Sequence, residues 1–115
     1  MREKMNSNRT ASRFQNMVMQ YTFTLQRLTA QPRYARLKQA EDIVRLEEEM
    51  QNGVVAFSYL GQDNEIHHVK GTLRHYMKDF KCPYRAKPYN RFLLYYNPEI
   101  GAWRMFQVNG LISIT

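Results

Sequence analysis

The spacing of the apolar residues changes at Asn52–Gly53, and this change divides the chain into two unlike segments. Before it, apolar residues recur every three or four positions, which is the period of an amphipathic helix. After it, short runs of β-branched and aromatic residues alternate with turn-forming residues, which is typical of strands. The sequence therefore predicts a helical segment over residues 1–52 and a β segment over residues 53–115.

The helical segment carries two apolar stripes, each typical of one face of a helix. The first stripe consists of Phe14, Met17, Val18, Tyr21, Leu25 and Leu28. The second consists of Leu37, Ala40, Ile43, Val44, Glu47 and Met50. Pro32 separates the two helices because it cannot continue the helical hydrogen bonding, and Asn52–Gly53 ends the second. We expect residues 1–8, which carry no periodicity, to be frayed.

The β segment contains five short runs that predict strands. They span residues 54–60, 65–73, 91–96, 102–108 and 111–114, and turn-forming residues lie at 61–64, 97–101 and 109–110. The stretch 74–90 interrupts the pattern, and we expect a long basic loop there. The predicted fold class is therefore α+β, with two N-terminal helices followed by a small five-stranded SH3/Sm-like β-barrel.

Size and composition narrow the class of protein. A chain of 115 residues suits one hydrophobic core, and no run approaches the roughly 18 apolar residues that a membrane span needs. The polar start lacks the apolar centre of a secretory signal, and the one cysteine, Cys82, cannot form an internal disulfide. We expect a cytoplasmic protein that does not bind membranes.

Charge is distributed unevenly along the chain, which has a net charge of +7. Residues 2–38 carry eight bases and one acid, whereas residues 39–52 carry five acids and one base. Residues 74–91 are basic again, with six Lys or Arg residues and one acid, Asp79. Two basic zones separated by an acidic one favour a polyanionic partner, with nucleic acid ahead of membrane. The alternative is a hydrated surface that only keeps the protein in solution.

The second basic zone interleaves cations with aromatic rings, a pattern typical of single-stranded nucleic-acid binding. Cations contact phosphates, and tyrosine rings offer faces on which bases stack. The candidate phosphate contacts are Arg74, Lys78, Lys81, Arg85, Lys87 and Arg91, and the candidate stacking residues are Tyr84 and Tyr89. The alternative is that these tyrosines pack on the barrel and the lysines are merely hydrated.

Evidence in the sequence for catalysis or a metal is weak. His67 and His68 are adjacent, so on a strand they point to opposite faces and cannot share a metal by themselves. No pair of ligands has the usual zinc spacing, and no glycine-rich phosphate loop is present. Trp103 is expected to belong to the core rather than to a binding platform. We expect no enzyme activity, no cofactor and no metal.

Five short motifs in the β segment carry a resemblance to a known family. They are Val55-Ala-Phe-Ser-Tyr, Gly71-Thr-Leu73, Phe92-Leu-Leu-Tyr-Tyr96, Trp103-Arg-Met-Phe106 and Leu111-Ile-Ser-Ile114. Over roughly residues 53–115 the chain resembles the WYL-like, Sm-like SH3 β-barrel family of short bacterial and phage proteins. That family is similar to the WYL domain of bacterial regulators, whose barrel is regarded as a module that senses ligands or nucleic acid. The resemblance implies Arg104, and more weakly Lys70, as ligand contacts.

These observations predict non-catalytic, regulatory binding of nucleic acid or a nucleotide-like anion, with single-stranded RNA or DNA favoured. A phage or mobile-element setting fits the resemblance. The rival function is that of a protein-binding adaptor or inhibitor, in which the apolar face of helix 14–28 forms the interface. Assembly into a homo-oligomer is a further alternative, with the acidic second helix of one copy meeting the basic loop of another.

Overall fold

The computed structural model of the protein describes residues 2–115, with side chains from residue 13 onward. Three helices and five strands follow one another along the chain. Their bounds are α1 (Arg2–Leu28), α2 (Arg33–Asn52), β1 (Val55–Leu60), β2 (Ile66–Gly71), α3 (Tyr76–Phe80), β3 (Phe92–Asn97), β4 (Ala102–Gln107) and β5 (Leu111–Ile114). A single 3-10 turn, Val108–Gly110, connects β4 to β5. The predicted order of two helices followed by five strands is confirmed.

The two long helices pack against each other as a hairpin, an arrangement that the sequence left open, and their apolar stripes face the interior. Val18, Tyr21 and Leu25 of α1 are at most 5% exposed, and the α2 stripe is buried from Ala40 to Met50. Pro32 precedes the first residue of α2, as its fixed backbone angle and missing N–H require. The frayed start predicted for residues 1–8 is wrong from residue 2 onward, because α1 begins at Arg2.

The strands form two open sheets rather than the closed barrel that the sequence predicts. One sheet has the order β2-β1-β5 and the other pairs β3 with β4, all antiparallel. A single bridge between Thr72 and Tyr96 links the sheets. The 3-10 turn carries the chain from β4 to β5, which pairs with β1. At this crossing Gly110 passes so close to Leu60 that a Cβ atom would lie 2.5 Å from the Leu60 carbonyl oxygen.

One hydrophobic core is shared by the helical and the β segments. Ile43, Leu46 and Met50 of α2 are fully buried in the same cluster as Phe57 of β1 and Tyr95 of β3. Gln39 of α2 also donates from Nε2 to the carbonyl oxygens of Asn109 and Leu111, at 2.9 and 2.8 Å. The helices therefore form one wall of the β structure. No helix in the described range is both long and apolar enough to cross a membrane.

The stretch predicted as a long basic loop contains a short helix, which corrects that prediction. In α3 the rings of Tyr76 and Phe80, one helical turn apart, lie 4.6 Å from each other. Both rings also pack against Trp103 of β4, at 6.0 and 5.1 Å between centroids. Packing on the sheet stabilises a helix of five residues that would not persist alone in water. Residues 81–91 follow as irregular chain and are called the basic segment below.

Candidate nucleic-acid interface

The two faces of the β3–β4 hairpin differ in exposure because alternate residues point to opposite sides. Leu93 and Tyr95 point inward and are at most 2% exposed. Phe92 and Leu94 point outward and are half-buried, and Met105, which pairs with Leu94, is 61% exposed. The outer face is therefore a strip of apolar side chains that the rest of the chain covers only in part.

Helix α3 covers one end of this outer face. Trp103 and Tyr96 form a cross-strand pair with ring centroids 5.4 Å apart, and α3 packs on them. The Trp103 indole N–H donates to Asp79 at 2.9 Å, so the one acid of this zone is engaged. The expected core role of Trp103 is met in part, since the ring is half-buried and packs against the core.

Two depressions run along the uncovered part of the strip. The larger, called the Arg104 cleft, has a volume of about 750 Å³ and lies along β4 beside the β1–β2 turn. The smaller, called the Arg85 groove, has a volume of about 160 Å³ and lies between the strip and the basic segment. Phe92, Leu94 and Met105 line both, so the two depressions adjoin.

The Arg104 cleft combines a stack of rings with one unpaired cation. Tyr59 lies between Phe106 and His67, with ring centroids 4.7 and 5.1 Å away. Arg104 is exposed and forms no ion pair with any described carboxylate. The acid in this cleft, Asp63, accepts from the Glu65 backbone N–H and lies 3.0 Å from His67 Nε2, and these contacts hold the pKa of Asp63 below its usual range.

The cations predicted to contact phosphates are all exposed, and within the described residues none of them forms an ion pair. These six residues are Arg74, Lys78, Lys81, Arg85, Lys87 and Arg91. Arg85 and Lys87 line the Arg85 groove directly. The Arg91 guanidinium lies 5.2 Å from the centre of the Phe92 ring, which is cation–π range. Positive charge therefore borders the apolar strip from the side of the basic segment.

The two tyrosines predicted to stack on bases lie in unlike environments. Tyr89 is 72% exposed and its ring is free at the surface. Tyr84 is half-buried, its ring meets Tyr76 edge-on at 5.2 Å, and its hydroxyl donates to the carboxylate of Glu47. Tyr84 thus has an internal contact that the sequence did not predict, and Tyr89 alone presents an open ring face.

Lys70 lies apart from the other predicted contacts. It lines a separate depression on the outer face of the three-stranded sheet, with Ser58 and His68. Its ammonium group lies 3.8 Å from the Glu99 carboxylate, so it is also the one predicted cation with an acidic neighbour. The structure brings Arg85, Lys87, Arg91 and Arg104 around one strip and leaves Lys70 outside it.

A buried carboxylate accepts a hydrogen bond from a tyrosine of the basic segment. Glu47 of α2 is 2% exposed, and it accepts hydrogen bonds from the hydroxyls of Tyr21 and Tyr84. Burial raises the pKa of Glu47, and burial together with the neighbouring carboxylate raises the pKa of both phenols. The sequence held a signal for this residue, since Glu47 occupies a position of the apolar α2 stripe.

Helix α1 makes two further contacts with the basic segment. The Thr24 hydroxyl donates to the carbonyl oxygen of Pro88 at 2.5 Å, in a buried position. Arg27 Nη2 lies 3.5 Å from the carbonyl oxygen of Tyr89, which adds a cation beside that ring. No local sequence pattern could have found either contact, because more than sixty positions separate the partners.

The two adjacent histidines lie on opposite faces of β2, as predicted. His67 stacks on Tyr59 at the cleft, whereas His68 Nδ1 lies 2.7 Å from the Ser58 hydroxyl on the outer face of its sheet. Within the described residues no three His, Cys, Asp or Glu side chains come together as metal ligands would. Cys82 is exposed at the start of the basic segment.

Comparison with known proteins places this geometry in a family. The profile of the WYL_2 family, described as "WYL_2, Sm-like SH3 beta-barrel fold", matches residues 43–112. No curated protein and no solved structure matches the chain. The matched stretch begins inside α2, earlier than residue 53, and includes all the predicted contact residues. Because it covers more than half of the sequence, the protein belongs to the WYL_2 family, whose fold is the Sm-like SH3 β-barrel.

Proposed function

We propose that the protein binds single-stranded nucleic acid, without catalysis, across the outer face of the β3–β4 hairpin. One observation carries the proposal. The apolar strip of Phe92, Leu94 and Met105 lines two depressions that also hold cations with no acidic partner among the described residues. Arg85 and Lys87 line the Arg85 groove, and Arg104, which pairs with the inward-facing Tyr95, lines the Arg104 cleft.

The chemistry of the strip matches a strand with unpaired bases. Phosphates need cations, and unstacked bases need apolar or aromatic surface, so a groove offering both suits single strands. A duplex offers its phosphates but keeps its bases stacked inside, and it would leave the apolar strip uncovered. Single-stranded RNA or DNA is therefore the favoured ligand.

Most of the predicted contacts have a role in this proposal. Arg85, Lys87 and Arg91 hold phosphates along the groove, and Arg74, Lys78 and Lys81 extend the positive surface around α3. Tyr89 offers a ring to a base, and Phe92 lies directly beneath the Arg91 guanidinium. Tyr84 is left out because its hydroxyl is bonded to Glu47, and Lys70 because it lies on another surface.

The Arg104 cleft supports a narrower version of the proposal, in which the ligand is a single nucleotide-like anion. Its volume of about 750 Å³ falls in the range of small-molecule sites. Arg104 would bind the phosphate, and the Tyr59–His67 stack would border the base. Arg104→Ala separates the versions. It should abolish binding of a free mononucleotide, but it should only weaken binding of a strand that other cations also hold.

The rival function, an adaptor that uses the apolar face of α1, has less support. Val18, Tyr21 and Leu25 of that face are buried against the chain itself, so they are not available to a partner. Among the α1 side chains that the structure describes, residues 13–28, the large apolar ones that are exposed are Met19 and Phe23, at 51% and 58%.

Fluorescence anisotropy with labelled single-stranded RNA, single-stranded DNA and duplex DNA tests the proposal. We expect single strands to bind more tightly than duplex, with log K falling by roughly 0.7 per neutralised phosphate as log salt rises. Arg85→Glu with Lys87→Glu should abolish this binding.

The matched control is Arg33→Glu with Lys38→Glu, which makes the same change in net charge on exposed positions of α2. It should leave most of the affinity in place. If both double variants lose binding equally, net charge rather than the groove governs the affinity. Absence of binding to every oligonucleotide at low salt would overturn the proposal.

A further inference from the structure

Three contacts from the α1–α2 hairpin hold the basic segment over the core. Glu47 of α2 accepts a hydrogen bond from the Tyr84 hydroxyl. Thr24 of α1 donates one to the Pro88 carbonyl oxygen, and Arg27 lies beside the Tyr89 carbonyl oxygen. The contacted residues span positions 84–89, between the cations of the proposed interface. The path of this irregular chain is thus determined by helices far from it in sequence.

Of these three contacts, the two buried ones, made by Glu47 and Thr24, can fix the position of the basic segment. Thr24 and Glu47 are each 2% exposed and Pro88 is buried, so water cannot replace a lost partner at low cost. Glu47 forms no ion pair with a cation among the described residues, and its two phenol donors stabilise it instead. Arg27 is exposed and its contact with Tyr89 is long, so it adds positive charge near the basic segment but does little to hold the segment in place.

We propose that the helical hairpin is the positioning device of the interface, with Glu47 and Thr24 as positioning residues for the basic segment. The inference rests on the function proposed above and adds what shapes the binding surface. Holding the segment in its bound shape lowers the entropy lost when a strand binds. Because the basic segment follows only a five-residue helix, it has little local structure of its own to supply that order.

The contacts made by α1 lie outside the stretch that the family profile matches. Tyr21, Thr24 and Arg27 all lie before residue 43, where the family match begins. The matched stretch contains the sheets, the basic segment and Glu47. Helix α1 contributes the Tyr21 hydroxyl, which donates to Glu47, and the Thr24 hydroxyl, which donates to the Pro88 carbonyl oxygen. The shape of the interface in this protein thus depends on a helix that the family match does not include.

The native cysteine makes the inference testable without engineering a label site. Cys82 is the one cysteine of the chain, is exposed, and begins the basic segment two residues before Tyr84. A spin label on Cys82 therefore reports the mobility of the segment. The test compares wild-type protein with Thr24→Val, Tyr84→Phe and the double variant, all labelled in the same way.

We expect both single variants to keep their helix content, to make the label more mobile, and to bind single-stranded oligonucleotide roughly three- to tenfold more weakly. Thr22→Val is the matched control, since the Thr22 hydroxyl donates only to Val18 within α1. Thr24→Ser, which retains the hydroxyl, should restore both properties.

Unchanged label mobility and unchanged affinity in the double variant would overturn the inference. The two readouts also separate this inference from the proposed function. If the label is freed but wild-type protein binds no oligonucleotide, the hairpin still positions the segment and the nucleic-acid function falls. If wild-type protein binds and the freed segment binds equally well, the function stands and the positioning role falls.

Discussion

The inner and outer faces of the β3–β4 hairpin are built from alternate residues of the same two strands, yet they are used differently. On the inner face Leu93, Tyr95 and Phe106 are at most 3% exposed and pack against the three-stranded sheet. On the outer face Leu94 and Met105 remain partly exposed, and cations border them.

Under the proposed function, the inner apolar residues serve folding and the outer ones form the surface that a ligand covers. The outer apolar side chains lie beside cations whose charged groups stay in water, and the chain covers them only in part. A strip of such residues remains incompletely covered until another molecule supplies the missing surface. Exposure together with nearby charge, rather than hydrophobicity alone, is therefore what distinguishes the proposed binding face.

The largest expected effect distinguishes two neighbouring leucines on opposite faces. Leu93→Ala should lower the free energy of unfolding by about 2–5 kcal/mol, because it leaves a cavity in the core. Leu94→Ala should cost about 1 kcal/mol or less, because that side chain is already partly hydrated. Denaturant unfolding measures both. Equal losses of stability would show that the outer face belongs to the core after all.

An intermediate effect is expected for Tyr89, whose ring is open at the edge of the groove. Tyr89→Ala should weaken binding of a single-stranded oligonucleotide by about 1–3 kcal/mol, the usual contribution of one stacked base, and should leave stability unchanged. Tyr34→Ala is the control, since Tyr34 is also highly exposed, at 78%, but lies on α2. If both variants bind like wild type, Tyr89 does not stack on a base.

The smallest effect concerns Glu47, which holds the inward-turned Tyr84. Burial raises the pKa of Glu47 above its ordinary value of 4.5 in the folded protein. As pH rises past that value, the unfolded chain ionises first, so the folded state loses stability until its own carboxyl has ionised. Wild-type protein should therefore become less stable relative to Glu47→Gln with rising pH, by about 1.4 kcal/mol per unit of pKa difference.

Melting temperatures of wild type and Glu47→Gln between about pH 4 and pH 8 give this comparison. Taking the difference between the two proteins removes the titrations that they share, including that of Asp63, whose lowered pKa acts in the opposite direction. A difference that does not change with pH would mean that Glu47 has its ordinary pKa. A difference that shifts in favour of wild type would reverse the assigned direction.

Features that depend on local pattern could be predicted from the sequence. The apolar stripes predict both long helices, Pro32 predicts their boundary, and the turn residues predict five strands within one or two positions of where they lie. Helix α3 was missed because its stability comes from packing on Trp103 rather than from a periodic stripe of its own. Whether a short segment forms a helix depends on such tertiary contacts more than on the helix propensity of its residues.

Features that depend on distant partners could not be predicted in this way. The structure has two open sheets, β2-β1-β5 and β3-β4, whereas the same pattern of strands and turns is compatible with a closed barrel. The sequence predicts the cations of the candidate site. It does not predict that Lys70 lies on another surface or that the Tyr84 hydroxyl bonds to Glu47. Glu47 itself was visible as the one acid in an apolar stripe.

The bridge at Thr72 has a consequence for how the molecule melts. Thr72 exchanges two backbone hydrogen bonds with Tyr96, at 3.0 and 2.9 Å, and its hydroxyl donates to the Met50 carbonyl oxygen near the end of α2. Both sheets and the helical hairpin thus meet at one residue, and we expect them to unfold in a single cooperative transition. A ligand on β3–β4 would then protect the whole of α1 and α2 from heat as well.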